Sequence, residues 1–136
     1  EHLWLPLELA RMAAGGAVRP GGSLIFMSGT GGLRPAIGLT VGGTLTVGSR
    51  ALTANLALEI APIRVNQIAA GFVDTPLSAT LLGDQLEARR DELRETLPIG
   101  RVVGPEDVAA LAIQLMTNTA LTGATYDIDG GQQLVS

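Results

Sequence analysis

At 136 residues the chain is long enough for one small domain and no more. With 46% hydrophobic and 16% charged residues it has the composition of a well-buried core, not of a disordered chain. The net charge of −4 excludes electrostatic attraction to nucleic acid or an anionic membrane; the lack of Cys excludes disulfides and thiolate metal sites; and His2, the only His, cannot build a His cluster or a Ser-His-Asp triad.

No apolar run approaches the ~20 residues of a membrane span, and no signal peptide is apparent in the acidic, amphipathic opening. A cytoplasmic location is expected, with no nucleic-acid or membrane partner. In chain order, Leu3, Trp4, Leu7, Ala10 and Arg11 give a helical spacing over 1–14, with Pro6 in its first turn or at a kink. Gly15-Gly16 and Pro20-Gly21-Gly22 end it. Residues 23–28 form a short continuous apolar run bounded by turn residues, the pattern of a buried parallel strand. A Gly-rich loop over 29–38 follows. Residues 40–60 form the longest helical segment, with Leu45, Leu52, Leu56 and Ile60 on one side and Gly42, Gly43, Gly48 and Ala51 allowing close approach of another helix. Its glycines cost roughly 1 kcal/mol each against Ala.

Pro62 stops that helix, and 65–70 read as the second strand. Residues 81–97 read as a charged amphipathic helix, with Leu82, Leu86, Leu93 and Leu97 in one stripe and Asp84, Glu87, Arg90, Asp91, Arg94 and Glu95 mostly facing water. Gly104-Pro105-Glu106-Asp107 is a helix start, with Pro at the first position and acids in the first turn. That helix runs to about Met116 and buries Val108, Leu111, Ala112 and Leu115. Residues 125–129 alternate as a last strand, closed by Gly130-Gly131. Strands separated by helices imply right-handed crossovers and a parallel sheet covered on both faces. Three strands alone leave an apolar strand at an open edge, so 1–136 are expected to be a single partial domain, the later half of a doubly wound α/β sheet.

The segments SLIFMSGTGG, ALTANLALEIAPIRVNQIAAGFVDTPL, LPIGRVVGPEDVAALAIQLM and LTGATYDIDGGQ resemble, in order and spacing, the later half of the short-chain dehydrogenase/reductase family. The resemblance implies a Rossmann-type fold, NAD or NADP, a small-molecule carbonyl or alcohol substrate, and a homodimer or homotetramer, here through the helices of 1–14 and 40–60. It also implies that the Gly-rich cofactor fingerprint lies upstream, so no cofactor is expected on this fragment alone. Gly29 to Gly32 do not replace that fingerprint: a GxGxxG needs Gly where Arg34 stands, and a P-loop needs a Lys.

The family's acid is a Tyr, with a Lys four residues on that lowers its pKa and a Ser one loop earlier. These positions fall at Gly42, Thr46 and Gly29, with Ser28 one residue short of the last. The only Tyr, Tyr126, lies in the final strand, where it reads as a core-margin residue. No catalytic residue and no metal ligand is therefore assigned, although Thr40, Thr44 or Thr46 could hold a substrate by hydrogen bonds. The resemblance carries cofactor-binding roles over to Ala70, Gly71, Val73 and Thr75. Ligands at the carboxyl ends of parallel strands support that placement. Two functions stay open: an atypical oxidoreductase, inactive as this fragment, or a non-catalytic binding or assembly subunit.

Overall fold

The apolar runs pair as expected. In the computed structural model, which describes residues 2–135, strands β1 (Ser23–Gly29), β2 (Arg64–Ala70) and β3 (Thr125–Ile128) form a parallel sheet in the order β1-β2-β3. Leu24 stands opposite Val65, and Ile68 opposite Tyr126. β2, paired on both sides, is buried over its whole length except Ala70 at its end, whereas β1 at one edge leaves Met27 exposed. Tyr126 is half-buried at the core margin, as its place in a short edge strand dictates.

Helix α1 (Trp4–Met12) runs into a wider turn over Ala13–Ala17, and α2 (Thr40–Glu59) connects β1 to β2. Because side chains alternate along a strand, Val65 and Gln67 of β2 face α2 while Arg64 and Asn66 face the opposite layer. On the α2 side, Val65 packs with Ala10, Leu56 and Ala57, with Leu7, Leu24, Phe26 and Leu52 around them. On the other side, the buried Arg64 guanidinium donates to the carbonyls of Leu115 (2.7 Å), Met116 (2.9 Å), Leu121 (2.9 Å) and Asn118 (3.2 Å). These lie at and just beyond the end of α5 (Pro105–Thr117), where helix carbonyls lack internal partners and a cation is favoured. Both faces of the sheet are thus covered, and the doubly wound α/β reading holds.

The segment read as one helix over 81–97 is different. It is α3 (Pro76–Leu82), a 3-10 turn over Gly83–Gln85, and α4 (Leu86–Thr96). Thr75 caps α3 through the Ser78 N–H, and Gly83 breaks the run with φ +51°, a conformation that favours glycine. The leucine stripe survives the break, since Leu93 and Leu97 are buried. Arg90, expected to face water, instead makes a bidentate pair with Asp74 at 2.9 and 2.8 Å, which ties α4 to the turn after β2. A final short helix, α6 (Gln132–Val135), was not legible as a pattern because it spans only one turn.

Candidate functional site at the carboxyl edge of the sheet

The three strand exits are joined by backbone hydrogen bonds. Thr30 N–H donates to the Ala70 carbonyl at 3.0 Å, and Gly71 N–H donates to the Ile128 carbonyl at 3.2 Å. Beyond Gly71 the chain turns over the start of the next layer. Phe72 N–H donates to Gln132 Oε1 at 2.9 Å, Val73 bridges Val103, and Asp74 N–H donates to the Val103 carbonyl at 2.9 Å. The sequence-assigned residues Ala70, Gly71, Val73 and Thr75 therefore share one turn at one sheet edge.

Their groups are not equally available to a ligand. The Ala70 carbonyl and the Gly71 N–H hold the strand exits together. A Cβ on Gly71 would lie 2.6 Å from both Asp129 Cβ and Gln132 Oε1, so this glycine meets a packing requirement that holds with or without a ligand. None of the bonds just described uses the Val73 N–H. Thr75 Oγ1 accepts from Ser78 N–H at 3.2 Å, while its own hydrogen has only a 3.4 Å contact with Ser78 Oγ. The Val73 N–H is thus left out of the bonds around the turn, and the Thr75 hydroxyl is engaged with Ser78 at the start of α3.

Asp129 frames the other side of the edge. Its carboxylate accepts the N–H groups of Gly131 (2.9 Å) and Gln133 (3.0 Å). Burial pushes this carboxyl up, but those backbone donors outweigh it and hold its pKa below the ordinary range. Sequence reading saw Gly130-Gly131 as a stop and missed this anchor. The Asp-Gly-Gly spacing was the available signal, since Asp readily bonds the backbone two residues on.

Cavities open around the edge. One of about 730 Å³ is lined by Leu33, Arg34, Leu39, Thr40, Thr44 and Val47. A neighbouring one of about 370 Å³ shares Arg34 and Leu39 with it and adds Thr30, Gln132 and Gln133. Arg34 donates to the Gln133 carbonyl between the two. A third, of about 400 Å³, brings together Met27, Ser28, Gly29, Gly42, Thr46 and Ser49. The positions aligned with the family's Ser, Tyr and Lys, namely Gly29, Gly42 and Thr46, thus meet at one cavity, yet present no acid and no cation there. Thr44, one of the threonines considered for substrate binding, donates its hydroxyl to the Thr40 carbonyl at 2.8 Å. Thr40 and Thr46 line different cavities. Among the described residues no group of His, Cys, Asp and Glu is arranged to hold a metal ion.

A helix-linked parallel sheet, covered on both faces and opening at its carboxyl edge, defines a Rossmann-type α/β protein. Residues 6–133 match the family model described as enoyl-(acyl carrier protein) reductase. The short-chain dehydrogenase/reductase malC of Malbranchea aurantiaca is 32% identical over 115 residues, covering 85% of this chain and 44% of the relative. The 4-formylbenzenesulfonate dehydrogenase TsaC1/TsaC2 of Comamonas testosteroni is 33% identical, covering 83% of this chain and 47% of the relative. A small-chain dehydrogenase solved in complex with NADPH superposes with a TM-score of 0.87 at 29% identity, over 98% of this chain and 60% of that one. The chain belongs to the short-chain dehydrogenase/reductase family of oxidoreductases, and it spans about half the length of the curated relatives it matches.

Proposed function

We propose that the complete protein binds NAD or NADP with the turn after β2 against its nicotinamide end, and that it moves hydride between that cofactor and a small-molecule carbonyl or alcohol. The observation that supports this most is the turn itself: at the carboxyl edge of the sheet the Val73 N–H takes no part in the surrounding hydrogen bonds, and the Thr75 hydroxyl, which caps α3 by accepting from Ser78 N–H, has only a 3.4 Å contact for its own hydrogen. They fit the carboxamide of a nicotinamide, which needs one donor and one further polar contact. Bound there, the nicotinamide would supply or accept the hydride; Val73 and Thr75 would orient it, and Ala70 and Gly71 would hold the turn in place. This fragment alone is proposed to bind no cofactor, because a pyrophosphate needs a glycine-rich turn leading into a helix N-terminus, and the chain carries no such fingerprint. The complete protein is placed in the cytoplasm as a homodimer or homotetramer through α1 and α2, whose exposed apolar residues include Trp4, Leu5, Met12, Val41 and Val47.

The test is calorimetry of the complete protein with NADH and NADPH, followed by turnover on a panel of ketones and secondary alcohols. Cofactor binding abolished by Thr75→Val and by Val73→Pro, which removes the N–H, is expected. No cofactor binding and no turnover would overturn the reading.

A second reading, a non-catalytic binding or assembly subunit, is favoured by the cavity at Gly42 and Thr46. A proton donor working near neutral pH needs a tuned side chain, and a Thr hydroxyl is a poor acid there. Cofactor binding without turnover would support this reading. A monomer by sedimentation at micromolar concentration would count against assembly through α1 and α2.

A further inference from the structure

The positions of the family's acid and cation are empty of both, yet a titratable side chain reaches their cavity from another element. Helix α1 lies on the sheet through Leu7 and Ala10, which pack with Val65. That seat carries the turn before α1, with His2 in it, to the end of β1. His2 lines the cavity of about 400 Å³ together with Ser28, Gly29, Gly42 and Thr46. It also lines an adjoining one of about 310 Å³, whose other walls are the apolar Leu5, Pro6, Leu9, Ile25, Phe26 and Met27.

The charged groups on the surrounding elements are occupied elsewhere. Glu8 of α1 pairs with Arg11, and Arg50 of α2 pairs with Asp127. β1 carries no charged residue, and among the described residues no Asp, Glu or Arg lines either cavity. The Ser28, Thr46 and Ser49 hydroxyls can donate a hydrogen bond to a bound carbonyl, but a hydroxyl of this kind is a poor acid near neutral pH. Histidine is the residue type suited to giving and taking a proton in that range. We infer that His2 is a catalytic residue of the complete protein, the proton donor and acceptor at a cavity where Gly42 stands in the place of the family's Tyr. The inference rests on the reading that the complete protein moves hydride to and from a carbonyl carbon. In reduction the carbonyl carbon gains a hydride, for which the reduced nicotinamide is the source. The C=O π pair moves onto oxygen, and that oxygen takes the proton of the His2 imidazolium. The products are the alcohol, the oxidised cofactor and a neutral imidazole, which regains its proton from solvent. Oxidation runs the same path backwards, with neutral His2 taking the hydroxyl proton. Reduction therefore needs His2 protonated and oxidation needs it neutral.

The experiment measures kcat against pH in both directions on the complete protein, with the ketone turned over fastest in the panel and its alcohol. Between about pH 5 and 8, kcat for reduction should fall and kcat for oxidation should rise. His2→Gln is expected to lower kcat about 10²-fold, the low end for a positioned acid because the ring is exposed, and to flatten both profiles. Cofactor affinity by calorimetry should be unchanged. Imidazole added to His2→Gly should restore part of the loss, which a merely structural role would not allow. In the unreactive complex with oxidised cofactor, the ketone should shift the His2 ring signal in NMR, identified by its absence in His2→Gln. Unchanged kcat and pH profiles in His2→Gln, or a loss with neither imidazole rescue nor a ring shift, would overturn the inference. Should the variants fail to fold, the wild-type profiles decide it, and profiles without opposite slopes sink it. Cofactor bound with no turnover in either direction overturns this inference alone. No cofactor binding overturns the hydride reading and this inference with it.

Discussion

Replacing Gly71 by Ala separates two reasons for a glycine at this edge. Its φ lies outside the positive range that requires glycine, so the backbone conformation itself carries no penalty. The added Cβ would stand 2.6 Å from Asp129 Cβ and from Gln132 Oε1, and 3.1 Å from Asp129 Cα. The Gln132 side chain can swing away, but it then gives up its bond to Phe72 N–H, at a cost of about 1 kcal/mol. The Asp129 contact involves backbone and cannot be relieved by a rotamer, so overpacking of roughly 1–2 kcal/mol remains. The total, about 2.5 kcal/mol, corresponds to a loss of about 1 M in urea midpoint if the complete protein has an m-value near 2.5 kcal/mol/M. Urea unfolding without cofactor measures this directly. Combining Gly71→Ala with Gln132→Ala should be less destabilising than the sum of the two, because one clash partner and one lost bond are shared. A Gly71→Ala protein with wild-type stability that has lost only cofactor affinity would refute the reasoning, since the glycine would then serve the ligand and not the packing of β3 and α6.

Further outcomes follow from other parts of the structure. Arg64→Met keeps the aliphatic bulk but leaves four carbonyls near the end of α5 without their donor. A loss of about 3 kcal/mol is expected, read as a urea shift, whereas a change under 0.5 kcal/mol would mean that water replaces the guanidinium freely. The Asp107 carboxyl, held by Arg101 and by Gly104 N–H, sits at about 2 against an ordinary 3.8. Its contribution to stability is present above the ordinary value and is lost as pH falls through the lowered one. An NMR titration should find its midpoint near 2, and Arg101→Gln should raise it; an unchanged midpoint in that variant would remove Arg101 as the cause. Finally, a Cβ at Gly42 meets only Leu39 Cδ2, at 3.8 Å, so a side chain can start there without a clash, and Gly42→Tyr with Thr46→Lys would put the family's acid and cation at this cavity. Helix propensity alone favours the Tyr over Gly by a few tenths of a kcal/mol. If the family alignment of this cavity is right, the double variant of the complete protein gains ketone reduction by about 10²-fold or more over wild type, the usual scale of a positioned acid. A folded, NADPH-binding variant with no gain would count against that alignment.

Much of the fold was legible because its signals are local. The apolar runs at 23–28 and 65–70 and the Pro-Glu-Asp start at 105 each declare their element through composition within a few residues, and the structure places all three accordingly. The break at Gly83 was not legible, because the leucine stripe keeps helical spacing across it, and only the backbone shows that the chain reverses its twist there. Arg90 looked like a solvent-facing charge because its partner, Asp74, lies 16 residues away in another element. For the site, the sequence by itself determined which chemistry is missing: without a Lys, and with its one Tyr in β3, no register of the chain restores the family's acid and its neighbouring cation. What only the tertiary structure decided is what the remaining groups are free to do. That Gly71 must leave room for Asp129 and Gln132, and that Phe72 and Asp74 spend their N–H groups on Gln132 and Val103, depend on residues 29 to 61 positions apart meeting at one edge. Hydrogen-bond capacity is a property of each residue type, but its allocation is set only when the partners are brought together.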